Sequence, residues 1–595
     1  MPWRVLPTET EIVAIHAALL PTSPEGDVLY FGDWAGVTDR TERNSGPTLC
    51  RLYHMASQTV EGFATADAPS TNAFCSGHAF MARGTLLVAG GTVRRPPAEE
   101  VGETEDAVET DAAELAEEGM EPPSNVHEEM HHWDGERACW VYLPFQKRWA
   151  RVRDLNFQPA STTQGGGRWY PMLVALSDGE VFAAGGHPSW TDAYISPLGG
   201  PGQRHNNNTP ERYSSETDSW TLITSAVTAP NALETDEFPR FRLLPNRMLF
   251  TTTEGSGALR MFDANAGQWT GPNVDTSALP PDYGRGWGAR GSSVTSVLLP
   301  LVPPNYSARV LATNSPHATS FLVDINATPA WLAAPTRQGS AAGTVRANAC
   351  AVLLPTGQVL VTGGTKPNPN KMVSTDPDSV GVLEPELYTP DIDWSTGDFT
   401  GLGNWRTVNE PATVPRGYHS VALLLPDGRV WTAGTTESWA GLAAAEKRVE
   451  LFSPWYTGMP RPQVLSIAPK RRPGRVRTEG FDYGETLTAT VTGTIERVAL
   501  TRCGSVTHGY DSDQRYVGLA FTQRGDQLTM TAPRDGSVAP PGYYMLWIID
   551  DTGVPCESAV FVHLPKIKRV VKGPPIHKRP KRPPLHPHVR PIKHR

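Results

Sequence analysis

Residues 421–434 read VALLLPDGRVWTAG: an apolar run, a Pro-Asp-Gly turn, then a second run in which apolar residues alternate. Two short strands joined by a Gly-containing turn make a hairpin. The phrase recurs along the chain. It reads AVLLPTGQVLVTGG at 351–364, LVALSDGEVFAAGG at 173–186 and AFMARGTLLVAGG at 79–91. ALLPTSPEGDVLYFG at 18–32, a degenerate RLLPNRMLFTTT at 242–253 and VLLPLVPPNYSARVLATN at 297–314 bring the copies to seven. One hairpin cannot bury both of its faces, whereas seven set radially can. The closing Gly-Gly allows backbones to crowd where a Cβ would collide.

The copies are spaced by roughly 50–95 residues, near or above the kelch period of about 50. The expected fold class is all-β: a seven-bladed kelch-type β-propeller over residues 1–459. Outer strands fall between the copies, as in ERYSSETDSWTLI and VLEPELYTPDIDW. From Pro460 the phrase disappears, and residues 460–565 carry short alternating strands such as ETLTATVTG and YYMLWIID. About 100 residues of this kind predict an immunoglobulin-like sandwich.

Charge is uneven. The net charge of −9 combines an acidic run at 97–135, read as a surface insertion with a short helix at DAAELAEEGM, with a basic Pro-rich tail at 566–595 that has no acid at all. The tail has no aromatic residue to stack a base, so no nucleic-acid partner is expected, and a solvated, disordered tail is the simpler reading. A basic tail could also anchor the chain to an acidic carbohydrate polymer. The six cysteines show no CxxC spacing, which argues against zinc; Cys503 and Cys556 either pair or are two buried thiols. The N-terminal MPWRVLPTETEIVAIHAALLPTS has no basic start, so no signal peptide is expected, and no apolar run reaches the length of a membrane span. Taken literally, the chain stays in the cytoplasm or leaves by another route.

Five residues at loop edges beside apolar strands carry chemistry: Cys75, Tyr170, Tyr418, His419 and His508. Each alone has a blander reading. A lone tyrosine at a strand edge is usually structural, and a lone cysteine before an apolar strand is usually just buried. Two imidazoles and two phenols around one centre would suit tetragonal copper(II).

Their contexts are FCSGHAF at 74–80, GGRWYPMLVALSDGEVFAAGG at 166–186, VPRGYHSVALLLPDGRVWTAG at 414–434 and VTHGYDSDQR at 506–515. APPGYYMLWIIDDTGVPCES at 539–558 lies near the end of the sandwich. In these segments, in this order, the chain resembles the galactose oxidase and glyoxal oxidase group of copper radical oxidases, from about residue 15 to 565. The resemblance implies a propeller followed by an E-set sandwich, and copper held by Tyr170, Tyr418, His419 and His508. It also implies a thioether joining Cys75 to Tyr170, and Tyr418 as the base that takes the substrate proton. The implied reaction oxidises an aldehyde or simple primary alcohol with O2 and releases hydrogen peroxide. It further suggests an extracellular or cell-surface enzyme. A monomer is expected. In the family's sugar oxidisers an indole covers the thioether from a Gly-Gly-Ser-Trp segment. Here the stretch is GGHPSW, so Trp190 is displaced, and Trp287 and Trp169 are further candidates for that cover. The RWY at 168–170 is closer to the glyoxal oxidisers than to the RGY of galactose oxidisers. The competing reading is a carbohydrate- or protein-binding propeller with no catalysis, since propellers host many functions.

Overall fold

The computed structural model describes residues 2–32, 48–64, 67–93, 134–157, 166–188, 206–228, 238–252, 261–270, 274–275, 277–278, 295–313, 321–325, 329–337, 346–366, 380–436, 446–469 and 480–566. The acidic insertion up to residue 133, with its expected helix, and the basic tail from residue 567 lie outside this set. The architecture is almost entirely β. No helix among the described residues exceeds four residues, and none is long and apolar enough to cross a membrane.

All seven copies of the repeated phrase fold as antiparallel strand pairs. Their first strands are His16–Leu20, Gly77–Phe80, Met172–Ala175, Phe241–Leu243, Thr295–Leu298, Cys350–Leu353 and Ser420–Leu424. The turn chemistry explains the regularity. In the last copy the Gly428 N–H donates to the Leu425 carbonyl (2.9 Å) and Gly428 adopts φ +85°. This is a type I turn closed by a left-handed residue, for which glycine has no steric penalty. Gly84, Gly179 and Gly357 repeat it, and in the degenerate fourth copy Arg247 takes the same place at φ +71°. Each pair gains outer strands to make seven antiparallel sheets. First strands pack side by side: Gly77–Phe80 beside Met172–Ala175 beside Phe241–Leu243, and Thr295–Leu298 beside Cys350–Leu353 beside Ser420–Leu424 beside His16–Leu20.

Two features were not legible in the repeats. Trp3–Val5 pairs with Glu450–Phe452, so the first residues complete the last repeat's sheet. A hairpin of Ser505–Thr507 and Tyr510–Asp511 leaves the C-terminal sandwich and joins His16–Ala18, making the first sheet six-stranded. The sandwich consists of two four-stranded sheets built on Thr486–Val491 and on the central pair Ile495–Arg502 and Gly542–Asp550. Buried ions anchor the hairpin. Arg502 pairs with Asp513 (2.9 Å), and Asp513 accepts the Phe80 N–H (2.8 Å). Arg242 donates to the Asp511 carbonyl (2.7 Å) and Arg515 to the Leu243 carbonyl (2.7 Å). A buried charge is tolerable only when it is satisfied in this way. The six cysteines are buried and form no disulfide, so Cys503 and Cys556 are buried thiols.

Candidate metal centre

Four of the five residues sit in the left-handed backbone region: Cys75 at φ +58°, Tyr170 at +60°, His419 at +63° and His508 at +49°. Each such residue costs about 1–3 kcal/mol, and such strain concentrates at functional sites. Cys75, Tyr170 and His419 lie one or two residues before the first strands of their sheets, where the chain turns in. Hydrogen bonds lace neighbouring turns together: the Tyr170 N–H donates to the Cys75 carbonyl (2.9 Å), and the Phe238 N–H donates to the Tyr170 carbonyl (2.8 Å). Gly434 lets His419 in. A Cβ there would lie 2.6 Å from the His419 carbonyl oxygen and 2.4 Å from that of Ala14.

The five side chains meet. One ligand atom each from Cys75, His419 and His508 lie within 4.8 Å of one another, all buried. The hydroxyls of Tyr170 and Tyr418 are in contact. The Tyr170 ring lies 4.9 Å from that of His508, and the Tyr418 ring 5.3 Å from it. Tyr170 is buried, whereas Tyr418 is half-buried and is the more open of the two phenols.

The histidines are oriented by threonines. The Thr507 hydroxyl donates its one proton to the Ile15 carbonyl (3.0 Å), so it accepts from His508 Nδ1 (2.6 Å). Nδ1 therefore carries the ring proton, and Nε2, which has no hydrogen-bond partner among the described residues, holds its lone pair. The His419 Nδ1 hydrogen-bonds the Thr436 hydroxyl (2.7 Å), which makes Nε2 its ligand atom. Such outer hydrogen bonds are what fix the rings of metal-binding histidines. Burial pushes the His419 pKa down to about 3. Burial, then the neighbouring His419 and His16, hold His508 well below the ordinary histidine value. Both rings are thus neutral at physiological pH, the form that ligates a metal.

Of the three candidate indoles, Trp169 packs its ring edge-on to Tyr170 at 4.3 Å. Trp190 and Trp287 lie outside the described residues. Phe238 was not foreseen. It contacts both Tyr170 (4.7 Å) and His508 (4.7 Å) from a left-handed backbone at φ +46°. Thr436, Thr507 and the buried His16 and His78 were also missed. An isolated threonine or histidine beside a strand carries no local signal; only the seven-fold phrase, used as a ruler, could have placed Phe238 at the position equivalent to Tyr170.

Residues 461–564 match the family described as "Galactose oxidase-like, Early set domain". The chain is 26% identical over 409 residues to a galactose oxidase of Gibberella zeae, covering 66% of this chain and 54% of the relative. It is also 26% identical over 441 residues to the aldehyde oxidase GLOX of Vitis pseudoreticulata, covering 68% of this chain and 72% of that one. The chain is a relative of the galactose oxidases and GLOX aldehyde oxidases. It spans about half the length (54%) of the galactose oxidase. Among solved structures, a fungal alcohol oxidase of the AA5 family in complex with copper shares the fold, with a TM-score of 0.64 and 20% identity over 95% of this chain and 100% of that one.

Proposed function

We propose that the chain is a copper radical oxidase that oxidises an aldehyde or a simple primary alcohol with O2 and releases hydrogen peroxide. The single observation that supports this most is the convergence, within 4.8 Å, of ligand atoms from Cys75, His419 and His508, with the Tyr170 and Tyr418 hydroxyls touching beside them. A binding propeller has no need to bury these groups together. The relatives named as galactose oxidase and as aldehyde oxidase support the reaction class and both kinds of substrate. We read the seven sheets as seven blades over residues 1–459, the sandwich as residues 460–565, and the working form as a monomer outside the cell.

The donor set fits copper. Two neutral imidazole nitrogens and two phenol oxygens suit a tetragonal copper(II) centre, and a buried thiol lies at its edge. His419 and His508 would be the nitrogen ligands, Tyr170 and Tyr418 the oxygen ligands. Copper, when bound, would accept one electron and acidify a coordinated hydroxyl.

The chain's own residues do the rest. A thioether between Cys75 and the Tyr170 ring would make that phenol easier to oxidise, so it can hold the second oxidising equivalent. Trp169 and Phe238, packed on Tyr170, shield the ring from water. Tyr418, the more open phenol, takes the proton of the substrate hydroxyl. A primary alcohol thereby loses two electrons and two protons to become an aldehyde, and these reduce one O2 to one H2O2. An aldehyde reacts as its hydrate and gives the carboxylic acid by the same count.

The test combines peroxide release with gel mobility. Copper-loaded protein is screened against aldehydes, primary alcohols and sugars, and run under reducing conditions beside Cys75→Ala. The thioether closes an internal loop, so the unsubstituted protein should run faster. Identical mobility, with no peroxide from any substrate, would overturn the proposal.

A further inference from the structure

Beside the centre lies a second pair of imidazoles that the proposed reaction does not use. His16 opens the strand His16–Leu20 and His78 lies in Gly77–Phe80; they are 0% and 3% exposed. Neither ring nitrogen of His16, nor Nε2 of His78, has a hydrogen-bond partner among the described residues. Leaving one buried polar atom unpaired costs about 1–3 kcal/mol, so three in one place need an explanation. A phenylalanine would fill the His16 position without that penalty. The ring already stacks flat on Phe31, at 4.9 Å and 9°.

The arrangement admits a ligand pair. His78 Nδ1 is held by the Ser505 hydroxyl, the kind of outer hydrogen bond that orients a metal-binding imidazole. The His16 and His78 rings are 5.2 Å apart, centre to centre, at 74°. An imidazole nitrogen lies about 1.2 Å from its ring centre and about 2.0 Å from a bound first-row metal, so two rings sharing one ion stand roughly 5–6 Å apart at the bent angle of a three-coordinate ion, and about 6.4 Å apart at the linear angle of a two-coordinate one. The observed separation falls in that range. The protein donors are neutral nitrogens. In an apolar surround, a monovalent ion leaves less uncompensated charge than a divalent one. Imidazole is a good copper ligand. The His16 ring centre is also 6.0 Å from that of His508, one ring away from the proposed centre.

We propose that His16 and His78 form a second metal site, which holds a three-coordinate cuprous ion, completed by one small ligand such as water, between their rings next to the His419–His508 centre. The choice of copper rests on the function proposed above, but the site itself rests on its own nitrogens. Such a site would receive or retain copper in the reduced protein, alongside a centre that is itself buried.

Two measurements test this on the full chain. Metal-stripped, reduced protein is titrated with Cu(I) against a chromophoric Cu(I) chelator, without oxygen. The unsubstituted protein should take up two equivalents and His16→Phe, which keeps a flat ring on Phe31, one. Crystals of the unsubstituted protein soaked in Cu(I) should also show an anomalous peak between the His16 and His78 rings, a readout that does not depend on the variant folding. No peak there, or an ordinary buried water in its place, overturns the inference; so does full uptake by His16→Phe. Failure of the main centre would look different: the peak at Cys75, His419 and His508 would be missing, while the one at His16 and His78 remained.

Discussion

The metal-free protein should unfold in mild acid, driven by its buried imidazoles. His419 and His78 are both held down to about 3 by burial. His16 and His508 move in the same direction, with burial again the first cause. The sign follows from where the protons go. Below the ordinary histidine value of about 6.5, the unfolded chain binds a proton that the folded site refuses. The stability these rings contribute is therefore complete above about pH 6.5 and is lost as pH falls, for His419 and His78 down to about 3. Each ring steepens the loss by about 1.4 kcal/mol per pH unit, which for His419 and His78 amounts to about 5 kcal/mol over the whole fall. Four rings together give about 5–6 kcal/mol per pH unit, against a typical total stability of 5–15 kcal/mol. The fold should then fail about one to three pH units below 6.5. The assay is urea unfolding of metal-free protein at several values between about pH 5 and 7, beside His419→Gln, whose amide can still meet the Thr436 hydroxyl. The variant should show a shallower slope by one proton, about 1.4 kcal/mol per pH unit. Copper-loaded protein should be at least as steep as metal-free protein, because a ligated nitrogen in the folded state cannot take the proton that the unfolded chain binds. Equal slopes for the unsubstituted protein and His419→Gln would refute the claim that burial holds this ring neutral.

Three further outcomes follow from the same geometry. His508→Ala should lose copper, by metal analysis, and all peroxide release, while far-UV circular dichroism keeps its β signature, because the ligand arrives on a hairpin whose pairing is made by its backbone. Tyr418→Phe should keep copper but slow turnover by about 10²–10⁴-fold, the usual worth of a positioned base; near-normal turnover would remove Tyr418 from that role. Gly434→Ala puts a Cβ against the His419 and Ala14 carbonyls at a φ of +76°, so its urea midpoint should fall by the equivalent of at least about 1–3 kcal/mol, with weaker copper binding.

The sequence disclosed the fold through its turns. Every copy of the repeated phrase became a strand pair, including the degenerate one in which Arg247 does the work of glycine. It disclosed less about how the sheets are joined. Trp3–Val5 is three residues long, and nothing local says that it pairs with Glu450–Phe452. The hairpin that carries His508 reads as one more pair of short sandwich strands; its partner strand at His16–Ala18 is nearly 500 positions away. Long-range pairing of this kind depends on the assembled fold, which a local pattern does not encode. The same limit hid Phe238, Thr436 and Thr507. Their contribution is to touch a ligand, and touching is decided by packing.

What connects the repeat to the chemistry is a backbone conformation, repeated where the strands begin. Cys75, Tyr170, Phe238, Asn348 and His419 all adopt φ between +57° and +63° or, for Phe238, +46°. Each stands one to three residues ahead of the first strand of a different sheet. Such a residue reverses the chain just before it enters the sheet, so equivalent positions in successive sheets turn toward a shared centre. Each costs about 1–3 kcal/mol, and a chain whose only task was to build stacked hairpins would place glycine there and avoid the strain. Here the positions hold a thiol, a phenol, a phenyl, an amide and an imidazole instead. The strain is then intelligible as the means by which residues up to 344 positions apart, from Cys75 to His419, reach one another, with backbone hydrogen bonds from Tyr170 to Cys75 and from Phe238 to Tyr170 holding the turns in place. Asn348, which belongs to this series but to no proposed role, marks where the same geometry would present a further side chain to the centre.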